Sequence, residues 1–131
     1  VGRVVAVRTE VFFRLLDDGI MPVLSPICWG GDGSIFNVNA DHVALAVARE
    51  LAAEALVFVS NVPGVLADGR LIERITPAQA ETLIADGTIA GGMVPKVRSA
   101  LEAVAGGVAA VRITNLDGLA QGTGTTVTGS K

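Results

Sequence analysis

The sequence predicts an α/β domain, an open and largely parallel sheet between helices. Three observations carry that expectation. Segments with strand-like and helix-like apolar spacing alternate along the chain. The mainly apolar run Ala55-Leu56-Val57-Phe58-Val59-Ser60 has strand length and reads as buried on both faces, hence parallel. Ala, Val, Gly and Leu abound beside four Phe, one Trp and no Tyr, which suits closely packed layers. Half of the 131 residues are hydrophobic and 18% are charged, so residues 1–131 can bury one core as one domain.

Taken in order, residues 3–7 read as a short strand and about 9–18 as a helix. In that helix Val11, Phe12, Leu15 and Leu16 recur at helical spacing, and Gly19 suits the position after its end. Residues 21–27 form a strand with an early Pro, and 30–33 a glycine-rich turn. A short strand over 34–36 then delivers 37–41 into a helix of about 40–53. Val43, Val47 and Leu51 make its apolar stripe, with Ala44 and Ala48 beside them. The strand at 55–60 ends in the loop 61–64, and 71–75 is another short strand. Thr76 and Pro77 supply an N-cap and a first-turn proline for a helix ending near Gly87. Gly91 and Gly92 open the next helix, with Val94, Val97, Leu101 and Val104 on its buried face. Residues 109–113 and 125–128 are the last strands.

A net charge of −3 provides no basic footprint for nucleic acid or an acidic membrane surface. The longest apolar stretches fall short of the roughly 20 residues of a membrane helix. Cys28 is alone, which excludes an intramolecular disulfide or a cysteine zinc cluster and points to a reducing, cytoplasmic setting. The start at Val1 reads as that of a trimmed piece. Neither GxxxxGK[ST] nor GxGxxG occurs, and there is no HExxH pattern or EF-hand loop.

Three places could carry chemistry. The chain uses Arg eight times and Lys only at 96 and 131. Lys96 falls in the first turn of the helix behind Gly91-Gly92, where unpaired N–H groups and the helix dipole attract anions. A compact ammonium there suits a phosphoryl group in transit. A solvated lysine on an ordinary helix is the competing reading, and the local pattern leaves both open. Asn37, Asn39 and Asp41 sit where a strand feeds a helix, either as a polar site or as capping residues. The loop from Ser60 to Val65 follows the best strand, the usual ligand edge of a parallel sheet, or is a plain Pro-Gly turn. His42, Cys28, Trp29, Asp17, Asp18 and Asp32 read as filler, packing or solvated charges. The Gly/Thr segment 122–126 reads as a turn into an edge strand.

Together these pieces resemble a known family. Asn37-Val38-Asn39-Ala40-Asp41, Phe58-Val59-Ser60-Asn61-Val62-Pro63-Gly64-Val65 and Ala85-Asp86-Gly87-Thr88-Ile89-Ala90-Gly91-Gly92-Met93-Val94-Pro95-Lys96 resemble, in order and spacing, the carboxyl half of N-acetylglutamate kinases. Residues 1–7 also look like that family's hairpin. The resemblance, reaching to about Ile113, implies the carboxyl, ATP-binding half of a three-layer amino-acid kinase (carbamate kinase-like) fold. Its complete sheet would be eight-stranded, with helices on both faces.

Carried over, Asn37 would contact N-acetyl-L-glutamate, Asp41 would organise the catalytic lysines, and Lys96 would stabilise the transferring phosphoryl. Asn61, Val62, Pro63, Gly64, Val65 and Leu66, with Thr88, Ile89 and Ala90, would line the nucleotide pocket. ATP is then the co-substrate, with Mg2+ held through its phosphates and no protein metal ligand. The full-length enzyme would be a homo-oligomer of arginine biosynthesis. A sister kinase acting on carrier-bound aminoadipate, and a non-catalytic nucleotide-binding or regulatory lobe, are the alternatives.

Departures from the family are visible. Asn61 stands where the family usually has Asp, and Cys28-Trp29 replaces a small pair. The stretch 114–122 is shorter than the family's histidine-containing helix, so arginine feedback by that route is not expected. The family's amino lobe, with its glycine-rich loop and second lysine, has no counterpart here. The isolated 131-residue chain is therefore predicted to show no acetylglutamate-dependent ATP turnover and at most weak nucleotide binding. Release of ADP above the enzyme-free rate in a coupled assay would contradict this.

Overall fold

The computed structural model describes residues 2–129. Val1, Ser130 and Lys131 lie outside the described residues, and with them the ends of the expected 1–131 domain, the first residue of the expected hairpin and the second lysine. The elements are α1 (Thr9–Asp17), β1 (Ile27–Trp29), β2 (Ile35–Asn37), α2 (Ala40–Glu50), β3 (Ala55–Val59), β4 (Leu66–Ala67) and β5 (Arg70–Leu71). They continue with β6 (Arg74–Ile75), α3 (Pro77–Ala85), α4 (Met93–Ala105), β7 (Ala110–Thr114), α5 (Leu116–Gln121) and β8 (Thr125–Thr128).

The principal sheet has four strands in the order β3-β7-β8-β6. β3 runs parallel to β7 and β6 parallel to β8, while β7 and β8 are antiparallel. Alternation along the strands gives the sheet two distinct faces. Leu56, Val111, Val127 and Ile75 fall in one cross-strand row, and Phe58, Ile113 and Thr125 in the next. Apart from the half-buried Leu56, these side chains are buried, and they face a layer formed by α2, α3 and α4. The opposite row holds Val57, Arg112, Thr126 and Arg74 and is more polar and more open.

Helix boundaries follow local chemistry. Thr76 and Gln79 form a reciprocal capping box ahead of Pro77. Asn39 caps α2 by accepting from the Asp41 and His42 amides. Gly19, at φ +71°, closes α1: its N–H reaches the Leu16 carbonyl, and the Ile20 N–H reaches that of Leu15.

Several expectations are corrected. Residues 3–7 form no strand: the isolated backbone bridge here, Gly2 to Val38, lies just before them. The hairpin of this region is instead β1–β2, closed by the turn at 30–33. The strand expected at 21–27 begins only at Ile27, since Pro22 and Pro26 each lack a ladder donor. Only Phe58 of β3 is buried, because β3 lies at the rim of the four-stranded sheet. β8, expected at an edge, lies between β7 and β6. In α4 the most buried positions are Val97, Ala100 and Ala103, whereas Val94, Leu101 and Val104 are half-buried; the alanines allow close approach to the sheet. The 71–75 strand is two pieces, and the first pairs with β4 through a turn in which Asp68 and Gly69 both have positive φ. α5, bracketed by Asn115 and Gly122, was not expected.

The core begins late. No side chain between residues 2 and 37 is buried, and Val23 and Met21 remain 92% and 83% exposed. No helix among the described residues is long and apolar enough to cross a membrane. Ile113→Ala, at a fully buried position, should lower the unfolding free energy of the chain by about 2–5 kcal/mol. Val23→Ser should change it by less than about 0.5 kcal/mol. Urea denaturation measures both, and equal losses would place the core elsewhere.

Candidate functional site

The connections decide which residues meet. α2 ends at Glu50 and β3 starts at Ala55, so α2 runs antiparallel to β3 and its first turn lies at the carboxyl end of that strand. α4 ends at Ala105 and β7 starts at Ala110, which places the first turn of α4 at the carboxyl end of β7. β3 and β7 are parallel and adjacent, so these ends share one edge of the sheet. β6 runs the opposite way to β7, and α3 then returns the chain so that 86–92 arrive at the same edge. The loop 60–65, leaving β3, starts there as well. Open parallel sheets bind ligands at such an edge.

An ion pair joins the first turns of α2 and α4 at this edge. Lys96 Nζ lies 3.4 Å from Asp41 Oδ2, with the side chains 25% and 29% exposed. Asp41 stands in the first turn of α2, where a carboxylate is favoured by the helix dipole. Lys96 stands in the first turn of α4, where a cation is disfavoured. A half-exposed pair of this kind contributes only about 0–1 kcal/mol. The lysine therefore gains little stability from a position that the dipole opposes.

The approach to this helix end is open. Cβ atoms placed on Gly91 and Gly92 would meet nothing within 4 Å, and Gly91 has φ +56°, a conformation that favours glycine. Asp86 accepts from the Thr88 N–H at 2.9 Å, which shapes the bend before α4. The Thr88 backbone and then its side chain hold the Asp86 carboxyl below its ordinary value. The charged form and its contact therefore persist above ordinary carboxylate pH and are lost as the pH falls through the lowered value. Ser34 depresses Asp32 in the same way, at the tip of the β1–β2 turn.

Other singled-out residues divide between exposed and structural positions. Asn37 ends β2 with an exposed side chain, four residues before Asp41. Asn39 is a cap, and His42 is exposed beside it. Asn61 accepts from the Ser60 hydroxyl at 3.3 Å. Val65 and Ile89, 1% and 2% exposed, are anchored in the core. Those two positions can offer a ligand only backbone groups. Cys28, in β1, is half-buried. Thr114 and Thr125 are both fully buried at the same sheet edge. Thr125 belongs to the Gly/Thr segment 122–126, expected only as a turn into an edge strand. Thr114 carried no signal, since buried hydroxyl contacts have no sequence periodicity.

The larger cavities lie off the ion pair. An apolar groove of about 380 Å³ runs along α2 between Val43, Val47, Leu51 and residues 24–26. It is lined by the apolar stripe of α2 and holds no titratable group. Charge and backbone geometry make the sheet edge, rather than this groove, the candidate site.

Comparison with known proteins extends this picture. The model of the amino acid kinase family matches residues 1–115. The acetylglutamate kinase of Roseiflexus castenholzii is 56% identical over 119 residues, covering 91% of this chain and 46% of that protein. The chain thus spans about half the length of the curated relatives it matches. Among solved structures, a protein of Streptococcus mutans UA159 superposes with a TM-score of 0.84 at 38% identity, over 97% of this chain and 50% of that one. An N-acetylglutamate synthase of Neisseria gonorrhoeae, complexed with coenzyme A and L-arginine, gives 0.82 at 30% identity over 92% of this chain and 30% of its own.

Proposed function

The chain belongs to the amino acid kinase family, and from that membership we propose that it is the ATP-binding part of an acetylglutamate kinase. The reaction passes the γ-phosphoryl of ATP to the side-chain carboxylate of N-acetyl-L-glutamate, forming an acyl phosphate and ADP. The bond to the ADP oxygen breaks as the bond to the carboxylate oxygen forms. The acceptor is already ionised at neutral pH, so no proton must be removed. Catalysis then consists of holding two anions in line and neutralising charge on the phosphoryl oxygens.

One observation carries the reading: Lys96 sits at a cationic helix end, 3.4 Å from Asp41. An incoming phosphoryl group resolves the conflict between lysine and dipole by accepting both. In the proposal Lys96 stabilises the transferring group, Asp41 orients the lysine, and Asn37 contacts acetylglutamate. Residues 61–66 and 88–90 receive the nucleotide. Among the described residues no three His, Cys, Asp or Glu side chains gather as a metal cage. In the proposal magnesium is carried on the nucleotide phosphates, where it would supply further charge neutralisation. The whole enzyme is proposed to work in the cytoplasm, in arginine biosynthesis, as a homo-oligomer.

A second reading is a lobe of the same fold that binds a ligand without catalysing; the Neisseria gonorrhoeae synthase of similar fold was complexed with L-arginine as well as coenzyme A. A substitution separates the two. In the full-length enzyme that the proposal requires, Lys96→Ala should cut acetylglutamate-dependent ADP release by at least about 100-fold. Circular dichroism and the thermal midpoint should stay unchanged. Turnover at the original rate would rule out a catalytic lysine and favour the non-catalytic lobe.

A further inference from the structure

The loop that leaves β3 is held to the sheet by one buried hydroxyl. Thr125 is fully buried at the start of β8. Its Oγ1 accepts from the Val65 N–H at 2.8 Å and donates to the Ile72 carbonyl at 2.6 Å. The Ile72 N–H in turn reaches the Val65 carbonyl at 2.9 Å. A single side chain thus fastens both ends of the segment that contains the β4–β5 hairpin. Gly64, just before this clasp, has φ +149°, and a Cβ there would lie 2.6 Å from Thr125 Oγ1 and 2.9 Å from the Thr125 nitrogen. Only glycine lets the backbone come this close in that conformation. The start of the loop is pinned independently, by the Ser60 N–H on the Thr114 carbonyl at 2.7 Å.

We propose that Thr125 is a positioning residue for the nucleotide: its hydroxyl sets the backbone of 61–66 in the shape that receives a nucleoside triphosphate, without touching the ligand. The inference rests on the reading of that loop as part of the ATP site. Valine has nearly the shape of threonine but neither accepts nor donates. In Thr125→Val the Val65 amide and the Ile72 carbonyl lose their buried partner, and the loop must move to rehydrate them. Serine keeps the hydroxyl.

The test uses the full-length enzyme that the proposed function requires and its Thr125→Val and Thr125→Ser variants. Each is titrated with a non-hydrolysable Mg-ATP analogue followed by backbone amide NMR, and amide exchange is recorded at Val65 and Ile72. The valine variant should bind the analogue at least about tenfold more weakly. Its Val65 and Ile72 amides should exchange faster while those of β7 do not change, and serine should restore both properties. Unchanged affinity with faster exchange would overturn the positioning role and leave the ATP site standing. Absence of analogue binding by the unsubstituted full-length enzyme at millimolar concentrations would overturn the nucleotide reading itself, and this inference with it. Should the valine variant not fold, Gly64→Ala disturbs the same contact from the loop side, and unchanged affinity there would equally overturn the proposal.

Discussion

The parallel pairing of β3 with β7 is the constraint on which the rest depends. It aligns two strand–helix connections so that the first turns of α2 and α4 open at one edge of the sheet. Lys96 and Asp41, 55 positions apart in sequence, meet there at 3.4 Å. The register also places Phe58, Ile113 and Thr125 in one buried row directly beneath that edge. Core packing and site assembly are therefore consequences of the same pairing. A slip of one residue would turn every one of these side chains to the opposite face.

The site is economical in charge. One cation faces the carboxylate of Asp41, and beside the Asp86 carboxylate and a few polar side chains the edge offers backbone groups held by anchors in the core. Val65 and Ile89 are such anchors, and Thr125 ties the first of them to the sheet. Rigid scaffolding under a backbone-lined loop is the arrangement that positions a polyanion without needing many charged side chains.

Legibility in the sequence followed the range of the interactions. Local chemistry was readable: the Thr76 capping box, the Asn39 cap and the Gly19 helix end all lie where their residue types predict. Interactions across the sheet were not. β8 was expected at an edge because its Gly/Thr lead-in carries no mark of the strands on either side. The two-residue strands around Asp68-Gly69 are too short to show alternation, although the turn itself was a recognisable signal. Residues 3–7 have strand composition, but composition cannot supply a partner. Similarly, the Val43-Val47-Leu51 stripe is correctly periodic yet lines an open groove rather than the core. The candidate site was legible as three separate motifs, while the contact joining Lys96 to Asp41 required the fold.

The central claim is that Lys96 occupies an electrostatically unfavourable helix end because an anion is received there. The most direct measurement compares Lys96→Met with the unsubstituted protein, both in the full-length enzyme, by urea denaturation and by titration with a Mg-ATP analogue. The claim predicts a stability change within about 1 kcal/mol of zero, together with loss of analogue binding. A large loss of stability with analogue affinity intact would show that the lysine serves the fold, and would contradict it.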